Sequence, residues 1–132
     1  MGILVVSLGL RIYEIETKSL WYDETCAIDN AIRRSLPRVI APRYSPSHGF
    51  VYFLLLRFWS TCFGGHFVTL RLLSAILGVL SVFMTYKVGS QLMNRSAALL
   101  ASLFLAVAPF HIFYSQEIGN FSLCFLVKIP WV

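Results

Sequence analysis

The stretch LLSAILGVLSVFMTYKV, residues 72–88, decides the fold class of this chain. Lys87 is its only charged residue, and its length lies in the range of roughly 17–25 residues that cross a hydrocarbon core of about 30 Å. Because lipid offers backbone groups no other hydrogen-bond partner, such a stretch must be helical. A second apolar stretch, residues 97–114, has the same character. We predict transmembrane helices over residues 67–90 and 96–115.

The composition of the whole chain points to the same class. Of its 132 residues, 58% are hydrophobic and 13% are charged, whereas about a quarter of the residues of a soluble protein carry charge. We therefore expect an all-α, polytopic membrane protein. The net charge of +5 comes from scattered basic residues, which argues against nucleic acid and favours membrane lipid or an anionic lipid-linked substrate as partner. The three cysteines have no metal-ligand spacing, so we expect no metal site and leave metal dependence open.

Both ends of the chain look incomplete. Residues 1–10 are apolar, but as a helix they rise only about 15 Å, half a bilayer, so we interpret them as a truncated first transmembrane helix. A secretory signal peptide fits poorly, since the stretch has no basic start and no small-residue cleavage site before Arg11. Residues 116–132 are interpreted as an outer segment and the truncated start of a further helix. We expect a fragment of a longer protein, inactive by itself.

The polar residues 11–47 are predicted to form one outer loop, periplasmic or lumenal. This loop holds five of the six acidic residues of the chain. Within it, apolar residues recur at nearly helical spacing over residues 23–35, which predicts a short amphipathic helix on the membrane surface.

Residues 48–63 decide the topology. They are aromatic, contain Arg57 and are short for a span, so they form either an interfacial helix or a short membrane helix. If they cross the bilayer, the acidic loop and residues 114–120 lie on opposite faces; if they lie at the interface, both share the outer face. We favour the interface, because it places the link between Lys87 and Arg95 inside, in agreement with the positive-inside rule.

The adjacent acids Asp23 and Glu24 are the best candidates for chemistry. They follow two aromatic residues within a few positions of the membrane, where burial and mutual repulsion would raise a carboxyl pKa. A carboxylate there can act as general base toward an acceptor hydroxyl. Because neighbouring helical residues point about 100° apart, one acid would do the chemistry while the other orients or binds. The alternative is a solvated loop with incidental acids.

Three further ionisable residues, Arg57, Arg71 and Glu117, lie inside or at the ends of apolar stretches, where such groups are functional hypotheses by default. Each arginine is a candidate for bidentate binding of phosphate, although the plainer interpretation is that it extends to lipid headgroups. Glu117 either belongs to a site or marks the water interface with Tyr114. His111 is interpreted as structural, since nothing near it in the sequence completes a metal site.

Four motifs in fixed order carry a resemblance to a known family. They are SLWYDET (residues 19–25), SHGFVYFLLLRFWSTCFG (47–64), TLRLLSAILGVLSVFMTY (69–86) and APFHIFYSQE (108–117). Together they resemble the amino-terminal part of the dolichyl-phosphate-mannose protein mannosyltransferases and their prokaryotic relatives, the glycosyltransferase family 39 and aminoarabinose-transferase-like proteins. The resemblance covers nearly all of this chain.

The resemblance implies part of a multi-spanning GT-C fold in the plasma or inner membrane, or in the endoplasmic reticulum. It implies an inverting glycosyltransferase that takes a sugar from a polyprenyl-phosphate carrier on the outer or lumenal face. Asp23 would be the general base and Glu24 its companion. The cofactor implied is the lipid-linked sugar donor itself. The substrate-binding residues expected from the motifs and the apolar stretches are His48, Arg57, Arg71, Gln116 and Glu117.

This chain departs from the family pattern at two places. Where the family often has HPPLYYLLLRLW, Gly49 and Phe50 replace both prolines. Where the family often has QEARMY, residues 116–121 read QEIGNF, and the loss of the arginine and tyrosine weakens a donor-phosphate role for that segment.

Two other classes of function compete with an enzyme. A small membrane scaffold would bind partner helices through small residues such as Ser74, Gly78 and Ser81. A transporter fragment would use Arg71, His111 and Glu117 as an intramembrane relay, which requires the three side chains to face one cavity.

Overall fold

The computed structural model describes residues 2–13, 15–16, 19, 21–33 and 49–129, and these residues form helices and no strand. The described part of the chain is therefore all-α. A π-helix, Asp29–Arg33, continues the second helix without a break. The α-helices are α1 (Gly2–Ile12), α2 (Tyr22–Ile28), α3 (Gly49–Phe63), α4 (Phe67–Leu92), α5 (Arg95–Val107), α6 (Pro109–Ser115) and α7 (Phe121–Lys128).

The long helix α4 is the centre of the structure, and α1, α3, α5, α6 and α7 all pack against it. Its buried residues recur every three or four positions, as an α-helical face requires. They include Leu70, Ser74, Leu77, Gly78 and Ser81. Among the described helices, α4 is the one that is long and apolar enough to cross a membrane by itself, with a mean hydropathy of 2.1 over its best 18 residues.

The second predicted span, residues 96–115, is divided into two helices. The axes of α5 and α6 differ by 59° across Ala108, whose backbone is extended. Pro109 explains the break, because it disfavours helical backbone at the preceding residue while fitting the first position of a new helix. Taken together, the bent pair has the length and composition of one further span.

Helix α3 lies against the first turns of α4. Its fifteen residues rise about 22 Å, less than the roughly 30 Å of a hydrocarbon core. The Trp59 indole N–H donates to the Thr69 carbonyl at 2.8 Å, and the hydroxyls of Tyr52 and Ser74 are 2.9 Å apart. Gly64 follows α3 with a φ of +93°, a backbone conformation that favours glycine, and allows the reversal into α4.

The amphipathic segment of the loop, α2 with its π-helical continuation, packs its apolar side on α3 and on one end of α4. Ala27 and Ala31 lie in one buried cluster with Tyr52, Leu56 and Leu70. Asp29 and Arg33 are on the outer side, 4.0 Å apart. This end of the molecule, where α2 meets the start of α4, is called the loop end below.

The small residues of α4 are buried within the chain itself. Ser74 and Ser81 have no exposed surface, and Gly78 packs directly against Arg11 and Ser115. The face that a scaffold would present to partner helices is thus occupied by α1, α3 and α6.

Candidate active site at the loop end of the central helix

A buried ion pair lies at the centre of the loop end. Glu24, in the first turn of α2, is 1% exposed, and Arg71, in the first turns of α4, is 3% exposed. Arg71 Nε donates to Glu24 Oε1 at 3.0 Å and Arg71 Nη2 donates to Glu24 Oε2 at 2.7 Å. This bidentate geometry joins the planar guanidinium to both carboxylate oxygens, an arrangement that lysine cannot reproduce.

The Glu24 carboxylate also accepts two backbone N–H groups. The N–H of Ile118 donates to Oε1 at 2.9 Å, and the N–H of Trp21 donates to Oε2 at 3.3 Å. The Trp21 contact is one of the two hydrogen bonds of a capping box: the side chain of the third helical residue, Glu24, accepts from the backbone N–H of the N-cap residue, Trp21. One side chain therefore joins α2, α4 and the segment that follows α6.

Arg71 uses its remaining donors on the backbone of the same loop. Nη1 donates to the Ile15 carbonyl at 2.8 Å and Nη2 donates to the Ser19 carbonyl at 3.3 Å. Gln116 acts in a similar way, because its side-chain amide donates to the carbonyls of Leu10 at 3.2 Å and Tyr13 at 3.0 Å. Arg71 and Gln116, two of the predicted substrate-binding residues, thus hold the start of the loop in place.

The expectation that the acidic pair has a raised pKa is wrong for Glu24. Burial acts to raise the pKa of this carboxyl, but the hydrogen bonds from Arg71 and Ile118 and the positive charge of Arg71 outweigh it, so its pKa lies below the ordinary value. Glu24 is therefore a carboxylate at neutral pH, and its oxygens are occupied by donors. Its chemistry is that of a structural anion rather than of a proton acceptor.

Asp23 has the opposite environment. It is exposed, as are its neighbours Trp21 and Tyr22, of which Tyr22 is 82% exposed. The two adjacent acids therefore lie in different environments. Glu24 is buried in the molecule, whereas Asp23 lies on the surface, next in sequence to a residue that is held by hydrogen bonds. An exposed carboxylate on a rigid backbone can reach a substrate that approaches the loop end.

Two further predicted substrate-binding residues, Arg57 and Glu117, lie around this end. Arg57 is half-buried on α3, and its Nη1 lies 3.5 Å from the carbonyl of Ala31. Glu117 is half-buried between Gln116 and Ile118. His48 lies outside the described residues.

No group of three or more histidine, cysteine, aspartate or glutamate side chains that could hold a metal ion occurs within the described ranges. Cys26 and Cys124 are half-buried thiols and Cys62 is exposed, and all three are free.

A second buried polar cluster, which the sequence analysis missed, lies between α1, α5 and α6. Arg11 has no exposed surface, and its Nη1 donates to the Ser7 carbonyl at 2.8 Å and the Ala106 carbonyl at 3.3 Å. Its Nη2 is 2.6 Å from His111 Nδ1. The sequence pattern predicts Arg11 at the start of the polar loop, and the one signal for a buried position is that Arg11 falls in the last turn of an apolar helix. His111, interpreted as structural, belongs to this cluster and not to the loop end.

These contacts place two residues of the relay that a transporter would need, Arg71 and His111, in different clusters. Arg71 binds Glu24, whereas His111 binds Arg11 in a separate cluster. Of the three residues that the relay needs, Arg71 and His111 thus belong to different clusters.

Comparison with known proteins places this chain in a class. A family profile described as dolichyl-phosphate-mannose-protein mannosyltransferase matches residues 47–132, more than half of the chain. The chain is thus a glycosyltransferase-like membrane protein. It belongs to the dolichyl-phosphate-mannose-protein mannosyltransferase family.

The matched range begins after α2, so Asp23 and Glu24 precede it while Arg57, Arg71, Gln116 and Glu117 fall within it. Searches of curated proteins and of solved structures find no match to this chain.

Proposed function

We propose that the enzyme to which this chain belongs transfers a sugar, with inversion, from a polyprenyl-phosphate carrier to an acceptor hydroxyl at the outer or lumenal face of a membrane, and that the chain by itself is inactive. The observation that carries this proposal is the position of Asp23. It is an exposed acid, next in sequence to the buried Glu24, whose bonds to Arg71 and the Ile118 N–H fix the loop at the end of the spanning helix. A lipid-borne substrate presents its headgroup at that depth.

In the proposed reaction Asp23 is the general base. Its carboxylate takes the proton of the acceptor hydroxyl as the oxygen attacks the anomeric carbon of the sugar. The bond from that carbon to the carrier phosphate breaks, and the polyprenyl phosphate leaves with the electron pair. Attack opposite to the leaving phosphate inverts the anomeric centre.

Glu24 and Arg71 are proposed as positioning residues. The two charges neutralise one another in a buried place, and their hydrogen bonds hold the backbone at Ile15, Ser19, Trp21 and Ile118. Fixing the base relative to the membrane helix lowers the entropic cost of bringing the base and the acceptor hydroxyl into the reactive geometry. Substrate contacts are then left to Arg57, to Glu117 and to His48.

We further propose a polytopic GT-C arrangement in which α4 and the bent pair α5 and α6 cross the membrane while α3 lies at the interface. The short length of α3 and its hydrogen bonds to Thr69 and Ser74, in the first turns of α4, support this placement. The acidic loop and residues 116–120 then face the same outer compartment, because Glu24 bonds to Ile118.

The test compares two isosteric variants of the complete enzyme to which this chain belongs, in membranes supplied with a polyprenyl-phosphate sugar. Asp23→Asn should abolish sugar transfer while protein abundance and thermal stability stay at the wild-type level. Asp29→Asn, a neutralised acid on the outer side of the same segment, is the matched control and should retain transfer. Retained transfer in Asp23→Asn would refute the base assignment.

A further inference from the structure

The break at Ala108 leaves backbone groups at the end of α5 without helical partners. The last carbonyls of any helix have none, and Pro109 lacks the N–H that would continue the ladder. In the proposed membrane arrangement lipid offers these carbonyls no donor either, so the protein itself must supply one. Arg11 supplies it, because its Nη1 donates to the Ala106 carbonyl at 3.3 Å.

Arg11 bonds to both helices of the bent pair. Its Nη1 reaches the end of α5, and its Nη2 lies 2.6 Å from His111 Nδ1 in the first turn of α6. A guanidinium has donors and no acceptor, so Nδ1 accepts and the contact is a hydrogen bond. Two nitrogens of one rigid, planar group therefore join the helices across Ala108, where their axes differ by 59°.

The position of Arg11 is itself fixed by α1 and α4. The side chain has no exposed surface, and Nη1 also donates to the Ser7 carbonyl, one turn earlier in α1, at 2.8 Å. Gly78 of α4 leaves the space that the side chain occupies, since a Cβ there would lie 2.9 Å from Nε. The carboxyl end of α5 carries partial negative charge, which favours a cation at this place. Arg11 is thus held between four helices.

The direction of α6 determines where the segment 116–118 lies. The helix has seven residues, so it rises about 10 Å, and Gln116 follows it directly. The Gln116 side-chain amide donates to two carbonyls at the end of α1, and the Ile118 N–H donates to Glu24. Both ends of α6 are thus tied to α1, one by Arg11 and the other by Gln116. A 20° change in the bend would move the far end of a 10 Å helix by about 3.5 Å, which is more than the range of a hydrogen bond tolerates.

We propose that Arg11 is a positioning residue for sugar transfer: it sets the bend between α5 and α6 and so places residues 116–118, Glu117 among them, beside the loop that carries Asp23. This proposal rests on the proposed function, in which Glu117 contacts substrate and Asp23 is the base. Arg11 acts through α6 and leaves the ion pair that supports Asp23 in place. Its loss should therefore weaken substrate binding more than the chemical step.

Hydrogen–deuterium exchange of the chain in detergent micelles tests the structural step. Arg11→Met removes the donors but keeps a long side chain, and it should speed exchange over residues 116–120 about tenfold, as a loss of ~1.4 kcal/mol in local stability would give. Exchange over residues 70–82 of α4 should change less than about twofold. Arg95→Met, at an exposed arginine of α5, is the matched control and should exchange like the wild type. Equal acceleration over both ranges would show that Arg11 contributes only global stability and would refute the proposal.

Two variants of His111 decide the question if Arg11→Met does not fold. His111→Gln still offers an oxygen acceptor to Arg11 Nη2, so exchange over residues 116–120 should stay at the wild-type rate. His111→Leu offers no acceptor and should speed that exchange about fivefold, as a loss of ~1 kcal/mol would give. The same rate in both variants would overturn the role of the Arg11 bridge.

Kinetics of the complete enzyme test the functional step. Arg11→Met should raise KM for a polyprenyl-phosphate sugar about tenfold and change kcat by less than about twofold, because binding contacts are displaced while the base is not. A lower kcat at unchanged KM is the result of losing folded enzyme and would count against a positioning role. The exchange measurement needs no sugar transfer, so it separates failure of this proposal from failure of the proposed function.

Discussion

Two adjacent acids of similar chemistry have different roles at the loop end because their side chains leave the helix in different directions. Glu24 is buried and accepts from Arg71 and from the Ile118 N–H, whereas Asp23 is exposed. The residues alone predict that the two acids differ in role, and the family resemblance assigns the base to Asp23, but neither predicts which acid is buried, since the partner of Glu24 is 47 residues away. Only the packing of α2 on α4 decides which acid is held and which is available.

Neutralising each acid should therefore have effects of very different size on the free energy of unfolding. Glu24→Gln leaves the buried charge of Arg71 without a counter-charge and should lower the free energy of unfolding by about 3–5 kcal/mol. Asp23→Asn should change it by less than about 0.5 kcal/mol, as exposed substitutions usually do. Unfolding in detergent micelles, followed by circular dichroism, measures both. Equal losses in the two variants would contradict the assignment of the buried anchor.

Gly78 is required by a close approach of three helices. A Cβ at this position would overlap the Ser115 hydroxyl and Arg11 Nε. Gly78→Ala should therefore destabilise the protein by about 1–3 kcal/mol despite the better helix propensity of alanine. Gly9→Ala is the control, because open space surrounds Gly9, and there the substitution should be neutral or stabilise by about 0.5–1 kcal/mol. A Gly78→Ala variant as stable as the wild type would show that α1 and α6 do not pack so closely.

At the level of the helices, hydropathy predicts where apolar segments lie but not how they are divided. The predicted span over residues 67–90 corresponds to α4, which the structure extends to Leu92. The predicted helix over residues 96–115 is broken at Ala108, and Pro109 was visible as a reason for the break. Arg11 could not be placed in the interior from sequence, because its acceptors, the Ala106 carbonyl and His111, are about a hundred residues away.

The start of α5 depends on one side-chain cap. Asn94 Oδ1 accepts from the Ala97 N–H at 2.8 Å. Asn94→Ala should lower the free energy of unfolding by about 1 kcal/mol, since the N–H loses its acceptor. Asn120 precedes α7 without a side-chain capping bond, so Asn120→Ala is the control and should have little effect. Chemical denaturation of the two variants in the same detergent compares them, and similar losses would argue against the cap.

For the molecule as a whole, the contacts predict which residues share a side of the membrane. Glu24 bonds to Ile118, so Ser19 and Asn120 lie at the loop end, whereas Gln91 is near the far end of α4. The test uses single cysteines at these positions in a variant without Cys26, Cys62 and Cys124. A membrane-impermeant maleimide should label positions 19 and 120 from one side of the membrane and position 91 from the other side. Labelling of positions 19 and 120 from opposite sides would remove the proposed site.

The lowered pKa of Glu24 also makes global stability depend on pH in a defined direction. A carboxyl whose pKa is lower in the folded state than its ordinary value of 4.5 contributes stability that is fully present above that pH and is lost as the pH falls through the folded-state value. The difference in melting temperature between the wild type and Glu24→Gln should therefore be constant from neutral pH to about pH 4.5 and shrink below it. A difference that grows on acidification would have the wrong sign for a paired carboxylate.

The sequence separation between Glu24 and its partners determines the order in which these contacts can form during synthesis of the chain. Its partners follow it by 47 residues for Arg71 and 94 residues for Ile118. At about 5–20 residues per second, the ribosome adds the last of them roughly 5–19 s after Glu24 has been made. In the first half of that interval Arg71 has not yet been made; in the second half the loop can bind Arg71 but still lacks the Ile118 amide, so the loop end is completed only after α5 and α6 have been translated.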